Sequence, residues 1–183
     1  NNSIYANLLT QGANVTASNC LFGNSNNYSA FISIGGNISF EHCTFANYWY
    51  GSRNTPAFVL KDYYESVNNQ VILRPFESAV FNNCIMHGST DTEFICDTLG
   101  PTFGLSGNTS FNYCAIKSEY ALSDMNLFNS CYLNLEPDFV STSSWNYDLG
   151  PQSNVVDLGG SSSISQDILE RPRLTPNDLG CYE

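Results

Sequence analysis

The sequence predicts an all-β protein in which short, similar units follow one another along the chain. Five stretches each carry a cysteine and an apolar residue two positions after it, and four of them have a phenylalanine three positions before it. Self-similarity with apolar positions held in register indicates a solenoid of stacked coils. Charged residues make up only 13% of the chain, which disfavours long surface helices. A meander of hairpins is also disfavoured, because no Asn-Gly or Asp-Gly pair joins neighbouring strands.

Each unit is expected to contain a strand, a tight corner and a second strand. Apolar residues alternate before the cysteine and then change parity, so one straight strand cannot keep both groups inside. A corner at the residue before the cysteine resolves this, and asparagine suits it because its short amide tolerates a left-handed backbone. The corner residues and their cysteines are Asn19–Cys20, His42–Cys43, Asn83–Cys84, Tyr113–Cys114 and Ser130–Cys131. His42 is therefore interpreted as a hydrogen-bonded member of this column and not as a catalyst.

The spacing of the cysteines agrees with coils of varying loop length. A coil needs roughly 20 residues or more, and the first three intervals are long enough. The interval from Cys114 to Cys131 is shorter, so Cys131 is expected to lie on another face. Over about residues 3–134 the pattern resembles the right-handed parallel β-helix, the pectate-lyase-like architecture. That resemblance implies a fold and says little about chemistry.

Taken in order, the elements are predicted from alternation and turn residues. The alternating run SAFISI reads as a strand, and the glycine pair after it makes the next corner. The aromatic insertion ends in a proline, which disfavours helix there. The expected elements are a first unit in 1–36 with a further strand at 29–34, a second unit at 38–45, an insertion at 46–75 with short strands at 57–60 and 71–73, and third and fourth units in 76–108 and 109–134.

From Glu136 the repeat stops and a segment rich in turn residues follows. Four ordered pieces of this segment resemble the end of bacterial surface β-helix proteins of the "choice-of-anchor Q" type. The matching residues are Pro137, Phe139, Val140, Leu149, Ser153, Val156, Asp157, Gly159, Asp167, Pro172, Arg173, Asp178, Gly180, Tyr182 and Glu183. The positions that depart from the family pattern are Glu136, Asn154, Glu170 and Cys181.

This resemblance implies an extracellular or cell-surface β-helix protein. Residues 1–134 are then the coils, and residues 135–183 are a segment of the same domain that covers the open end of the last coil. Arg171 and Arg173 are expected to hold this segment by pairing with Asp167 or Asp178. Because the first residues already read as part of a coil, the chain is expected to be the C-terminal part of a longer solenoid.

Composition limits the partners. The net charge is −11 with only six Lys and Arg residues, so nucleic acid and anionic membrane surfaces are not expected partners. No apolar run is long enough to span a membrane. The seven cysteines include four in one apolar column, which predicts unbonded buried thiols. No Cys or His set has zinc-ligand spacing, and no cofactor is expected apart from a candidate Ca²⁺ site described below.

Three groups of residues are candidates for function. Tyr48, Trp49, Tyr50, Tyr63 and Tyr64 could form a platform for sugar rings, although they could equally cover the side of the coils. His87 and Lys117 are expected to be adjacent and outward, as a base and a cation for uronate elimination would be, although two ordinary surface residues would look the same. The loop carboxylates could hold Ca²⁺ or act on a glycosidic bond, or could simply be solvated; they are Asp91, Glu93 and Asp97.

The sequence favours a non-enzymatic extracellular or cell-surface β-helix domain that contacts glycans or other surface partners. The clear repeat, together with the lack of a distinct acid–base set, supports this interpretation. A polysaccharide lyase or glycoside hydrolase is the alternative, since this architecture often carries such sites. A third interpretation is that the chain is the terminal part of a longer enzyme, with an upstream portion of the same polypeptide as its partner.

Overall fold

The chain is all-β, and the computed structural model describes residues 5–97 and 109–183. The first nine strands are β1 (Ala6–Gln11), β2 (Val15–Ser18), β3 (Leu21–Gly23), β4 (Tyr28–Ser33), β5 (Asn37–Glu41), β6 (Thr44–Asn47), β7 (Phe58–Lys61), β8 (Tyr63–Glu65) and β9 (Val71–Leu73). The others are β10 (Ser78–Asn82), β11 (Ile85–Gly88), β12 (Phe94–Asp97), β13 (Thr109–Asn112), β14 (Ala115–Ile116), β15 (Phe128–Asn129), β16 (Tyr132–Leu133), β17 (Phe139–Ser141) and β18 (Asn146–Leu149).

Within the described residues, most strands belong to three parallel sheets. The first sheet has the order β1-β4-β7-β12, the second β2-β5-β10-β13-β15, and the third β3-β6-β11-β14-β16. The chain visits the sheets in this order again and again, so each strand pairs with its counterpart from the neighbouring repeat. The strands β8 and β9 form an antiparallel pair in the insertion, and β17 and β18 form another in the C-terminal segment.

Left-handed corners join the second sheet to the third, as the sequence predicts. All five corner residues have φ between 49° and 54°. Because of the corner, the phenylalanine before it and the cysteine after it both face inward. On one straight strand these two residues would face opposite sides. Phe40, Phe81 and Phe111 are register partners on successive strands and are fully buried. The Phe81 ring stacks on Phe40 at 5.6 Å and on Phe111 at 4.5 Å between centroids.

The seven cysteines are free, as predicted. The thiols at the corners form a column, and four of the five donate to a backbone carbonyl one repeat earlier, for example Cys84 Sγ to Phe40 O at 3.8 Å. The fifth, Cys20 in the first repeat, donates to Ser18 O at 3.2 Å. The prediction that Cys131 lies on another face is wrong, because its thiol donates to Phe111 O at 3.2 Å in the same column. The interval is short because residues 117–127 form no strand of the first sheet, and the chain passes from β14 to β15 directly.

The C-terminal segment runs along the outer face of the third sheet. Its Val155 and Leu179 form a buried cluster with Ile85 and Ala115, which face away from the main core. The Arg173 guanidinium reaches Asn19 Oδ1 at 2.8 Å in the first repeat. We expected this segment to cover the open end of the last coil, and these contacts instead place it along a side. The division into 1–134 and 135–183 remains a prediction.

Ion pairs fasten this segment largely as expected. Arg171 Nε lies 2.6 Å from Asp167 Oδ2, as predicted, and the same guanidinium reaches Asp148 at 2.9 Å. Arg173 pairs with Glu183 at 3.2 Å, whereas pairing with Asp178 was the alternative offered by the sequence. The side-chain carboxylate of Glu183 is thereby held against the segment that precedes it.

The stacked rings supply the first test of this fold. Phe81→Ala removes a ring that is fully buried, so we expect a loss of about 3–5 kcal/mol in the free energy of unfolding, from lost transfer energy and a residual cavity. Urea melts measure the loss. The control, Val67→Ala, removes methyl groups at a residue that is 99% exposed and should change stability by less than about 0.5 kcal/mol. Similar losses for the two variants would contradict the proposed stacking.

His42 supplies a test by pH. Burial, reinforced by the charge of Arg173, lowers the pKa of His42 to about 4. Between its ordinary value of 6.5 and this value the unfolded chain binds a proton that the folded chain does not, so stability falls as the pH falls, by at most about 1.4 kcal/mol per pH unit. His42→Asn introduces the residue that already occupies the corners at Asn19 and Asn83. Because asparagine does not bind a proton in this range, the free energy of unfolding should fall less steeply as the pH falls. Urea melts at about pH 7.5 and about pH 5 compare the two proteins, and equal declines would contradict the assignment.

Candidate functional site

The part of the insertion that lies between β6 and β7 is held by a buried ion pair. Arg53 Nη2 lies 2.5 Å from Glu93 Oε1, and the two side chains are 1% and 0% exposed. Arg53 also donates to Asn47 O at 2.7 Å, and Glu93 also accepts from the backbone N–H of Ala57 at 2.7 Å and of Thr90 at 2.6 Å. Because both charges are satisfied on several sides, the insertion is rigidly attached to the body of the protein. Glu93, a candidate metal or acid–base residue in the sequence, is thus engaged in this attachment.

The same insertion displays a stacked aromatic pair. The rings of Trp49 and Tyr50 lie 4.5 Å apart at an interplanar angle of 30°, and Tyr50 is 84% exposed. Gly51 makes the arrangement possible, since a Cβ at this position would lie 2.7 Å from Trp49 Nε1. Neither Gly51 nor Arg53 was singled out from the sequence. The sequence did offer a signal for Arg53, because it is one of only six cations in the chain and lies in an otherwise uncharged, aromatic-rich run.

A second aromatic group follows β7. Tyr63 Oη donates to Asp97 Oδ2 at 2.9 Å, and Lys61 Nζ lies 3.4 Å from the same oxygen. The Lys61 ammonium also stands 4.0 Å from the centroid of the Tyr63 ring. The hydrogen bond to Asp97, with some burial, raises the pKa of Tyr63, so its hydroxyl stays protonated and can donate. Tyr64, the neighbouring candidate, lies on β8 opposite Ile72.

These two aromatic groups lie on either side of β7 in the chain, since Trp49 and Tyr50 precede it and Tyr63 follows it. The outward positions of the first sheet form an apolar row in register across its four strands. The members of the row are Leu9, Phe31, Val59 and Ile95. Leu9 is exposed and Phe31 and Ile95 are half-buried, whereas Val59 is only 6% exposed, so part of this row is covered.

Tyr48 belongs to neither aromatic group. Its hydroxyl lies 2.7 Å from His87 Nδ1, and its ring packs edge-on against Phe139 and tilted against Tyr147. Burial raises the pKa of Tyr48 above its ordinary value, so the hydroxyl is the natural donor to His87. The predicted platform of five aromatic residues is therefore divided into a stacked pair, of which Tyr50 is exposed and Trp49 half-buried, a half-buried tyrosine engaged with His87, and a hairpin pair.

His87 and Lys117 are neighbours, and His87 is not accessible. The C-terminal segment covers the outward column, so His87 is 1% exposed and its Nε2 lies 3.6 Å from Glu136 Oε2. Burial, reinforced by the charge of Lys117, lowers the pKa of His87 to about 3. Lys117 Nζ donates to Gly88 O at 2.9 Å. A buried neutral imidazole in this setting is poorly placed to take a proton from a polysaccharide.

The three loop carboxylates lie in different environments. Glu93 is buried with Arg53, Asp97 pairs with Lys61, and Asp91 is exposed. Among residues 5–97 and 109–183, no group of three or more His, Cys, Asp or Glu side chains is arranged to hold a metal ion. In the same part of the chain, no helix has both the length and the apolar character needed to cross a membrane.

Comparisons with known proteins give no relative. No family model matches the chain, and neither the curated proteins nor the solved structures searched contain a match.

The buried ion pair can be tested by mutation. Arg53→Met leaves Glu93 buried and unpaired, so we expect the free energy of unfolding to fall by about 3–5 kcal/mol. Adding Glu93→Gln removes the stranded charge and should recover part of that loss. The control is Lys61→Met, whose ion pair with Asp97 is partly exposed and should be worth less than about 1 kcal/mol. Urea melts of the four proteins decide the matter, and an equal loss for the two single variants would contradict the assigned roles.

Proposed function

We propose that the three parallel sheets are the faces of a right-handed parallel β-helix and that the chain is a non-enzymatic extracellular or cell-surface domain that contacts glycans. The cyclic order in which the chain visits the sheets supports the β-helix. The extracellular location rests on the resemblance of the C-terminal segment to surface proteins of the "choice-of-anchor Q" type. Free cysteines are compatible with that location here, because the corner thiols are hydrogen-bonded to backbone carbonyls inside the repeat.

The observation that carries the glycan proposal is the rigid display of Trp49 and Tyr50. Exposed aromatic rings lose water readily and match the apolar C–H faces of sugars, and a neighbouring hydroxyl supplies hydrogen bonds. The buried ion pair between Arg53 and Glu93 holds the loop in place before any ligand arrives, which reduces the entropy lost on binding. A surface that only protected the core would have no need to expose the Tyr50 ring in this way.

The burial of His87 weighs against the lyase alternative. Uronate elimination needs a base that reaches the sugar and a cation that stabilises the enolate. In this protein the imidazole is covered by Tyr48 and the C-terminal segment, and the Lys117 ammonium is directed to a backbone carbonyl. The geometry therefore favours binding over catalysis.

We also propose that an upstream portion of the same polypeptide adds strands to β1, β2 and β3. Inward-facing Phe22 is half-buried in the first repeat, whereas its register partner Phe45 is fully buried in the next. No charged residue precedes Glu41, so these edges lack the charges that usually discourage pairing. An N-terminally extended protein should bind less hydrophobic dye than the 183-residue chain, and equal dye binding would contradict this proposal.

Binding to immobilised polysaccharides tests the glycan proposal. Trp49→Ala removes the larger ring of the stacked pair and should weaken binding by about 1–3 kcal/mol, in the range expected for loss of one large aromatic contact. The matched control is Trp145→Ala, because Trp145 is the other tryptophan and is exposed, at 48%, but lies on the C-terminal segment. Both variants are first compared with the parent by circular dichroism. Equal binding by all three proteins, or binding by none, would rule the proposal out.

A further inference from the structure

We infer that the hairpin of β8 and β9 pairs with the same hairpin of a second copy of this chain, so that the protein forms a weak dimer with two-fold symmetry. A dimer of this kind goes beyond the proposed function and does not depend on it. The feature that carries it is the free edge of β9, which is exposed and uncharged and is complementary to itself.

The backbone of β9 has one edge without a neighbouring strand. The two strands of the hairpin form a sheet of their own, so β9 has β8 as its single neighbour. The N–H of Arg74 donates to Asp62 O at 2.7 Å. Because backbone groups alternate between the two edges of an antiparallel strand, Ile72 also faces β8, and the N–H and C=O groups of Val71 and Leu73 point away from it.

This edge is open to solvent. Val71 and Leu73 are 50% and 46% exposed, and every residue from 67 to 75 except Ile72 is exposed. Proteins usually protect such an edge with a charged residue or a proline inside the strand. The strand β9 consists of three apolar residues and has neither form of protection. It is therefore available for pairing with another strand.

A second copy of the hairpin satisfies this edge completely. When the two β9 strands run antiparallel with Ile72 opposite Ile72 of the second copy, Val71 lies opposite Leu73 of the second copy, and Leu73 lies opposite its Val71. Each of these pairs exchanges two backbone hydrogen bonds, so every outward N–H and C=O of both strands finds a partner. The side chains of Val71 and Leu73 then pack across the new strand pair on one face of a four-stranded sheet.

The distribution of charge favours this register. Two copies with a net charge of −11 repel each other, so they can associate only where the repulsion is offset locally. The hairpin has no charged residue from Ser66 to Leu73, and the exposed cation Arg74 follows. With strands about 4.8 Å apart and residues about 3.4 Å apart, the register places the Cα of Arg74 about 10 Å from that of Glu65 in the second copy. Opposite charges therefore approach each other at both ends of the interface.

The small size of the interface sets the strength of the dimer. The exposed stretch covers residues 67–75 of each copy, whereas a stable interface has about 20–30 residues on each side. We therefore expect a reversible dimer that becomes populated only at high protein concentration.

Sedimentation velocity between about 5 μM and about 500 μM tests the dimer, and the parent protein should shift from monomer towards dimer as the concentration rises. Val71→Lys places a cation on the free edge, about 8 Å from the same cation of the second copy, and should weaken association at least about tenfold. The matched control is Val67→Lys, which makes the same change on the same hairpin at a residue that is 99% exposed and lies off the edge. Its association should stay within about twofold of the parent.

Three results would overturn the inference. One is a parent protein that stays monomeric at the highest concentration, even if it captured an extended peptide from another protein. Another is equal weakening by the two lysine variants. The third is assembly beyond two copies, because pairing of the β9 edges closes at a dimer.

Cysteine cross-linking tests the register without relying on the lysine variants. In Ile72→Cys the two new Cα atoms lie about 4.5 Å apart, within the range of about 4.4–6.8 Å in which a disulfide forms. In the matched control, Val71→Cys, the corresponding distance of about 8 Å is too long. In a glutathione redox buffer we expect a covalent dimer of Ile72→Cys, at a yield at least about tenfold above that of the control and of the parent, whose seven native thiols are free. Equal yields from the three proteins would overturn the proposed pairing.

Discussion

The left-handed corner before each repeat cysteine fixes how the strands and their side chains are arranged. With φ near 50°, it turns the chain from the second sheet into the third without a loop. The residues on both sides of the turn can then face the same interior, which a straight strand forbids. Asparagine, histidine, tyrosine and serine all occupy this position, so the surrounding packing enforces a conformation that only some of them favour.

Stacking between repeats follows from that corner. Because each corner occurs at the same place in the repeat, Phe40, Phe81 and Phe111 fall into register and their rings become parallel within 6°. Cys43, Cys84 and Cys114 form a second column beside them, and each thiol finds a carbonyl in the preceding repeat. A small apolar residue with one weak donor fits this narrow position better than a larger side chain would.

Tertiary contacts, and not residue type, distinguish the aromatic residues of the insertion. Tyr48 and Trp49 are adjacent in sequence and both half-buried, yet the Tyr48 ring packs against Phe139 and Tyr147 and the Trp49 ring stacks on exposed Tyr50. The C-terminal segment makes this difference, because it crosses the outer face of the third sheet and removes His87 from solvent.

The repeat, the corner positions, the inward columns and the unbonded thiols could all be predicted from the amino-acid sequence, because they depend on local periodicity and on the backbone tolerance of single residues. The sequence also identified the aromatic insertion as a candidate binding element. The partners of individual side chains emerge only in the folded chain: Glu93 anchors Arg53, Asp97 pairs with Lys61, Cys131 stays in the column, and the C-terminal segment lies along a side. These are contacts between residues far apart in the chain, and their geometry depends on how the repeats stack, which the spacing of residues does not encode.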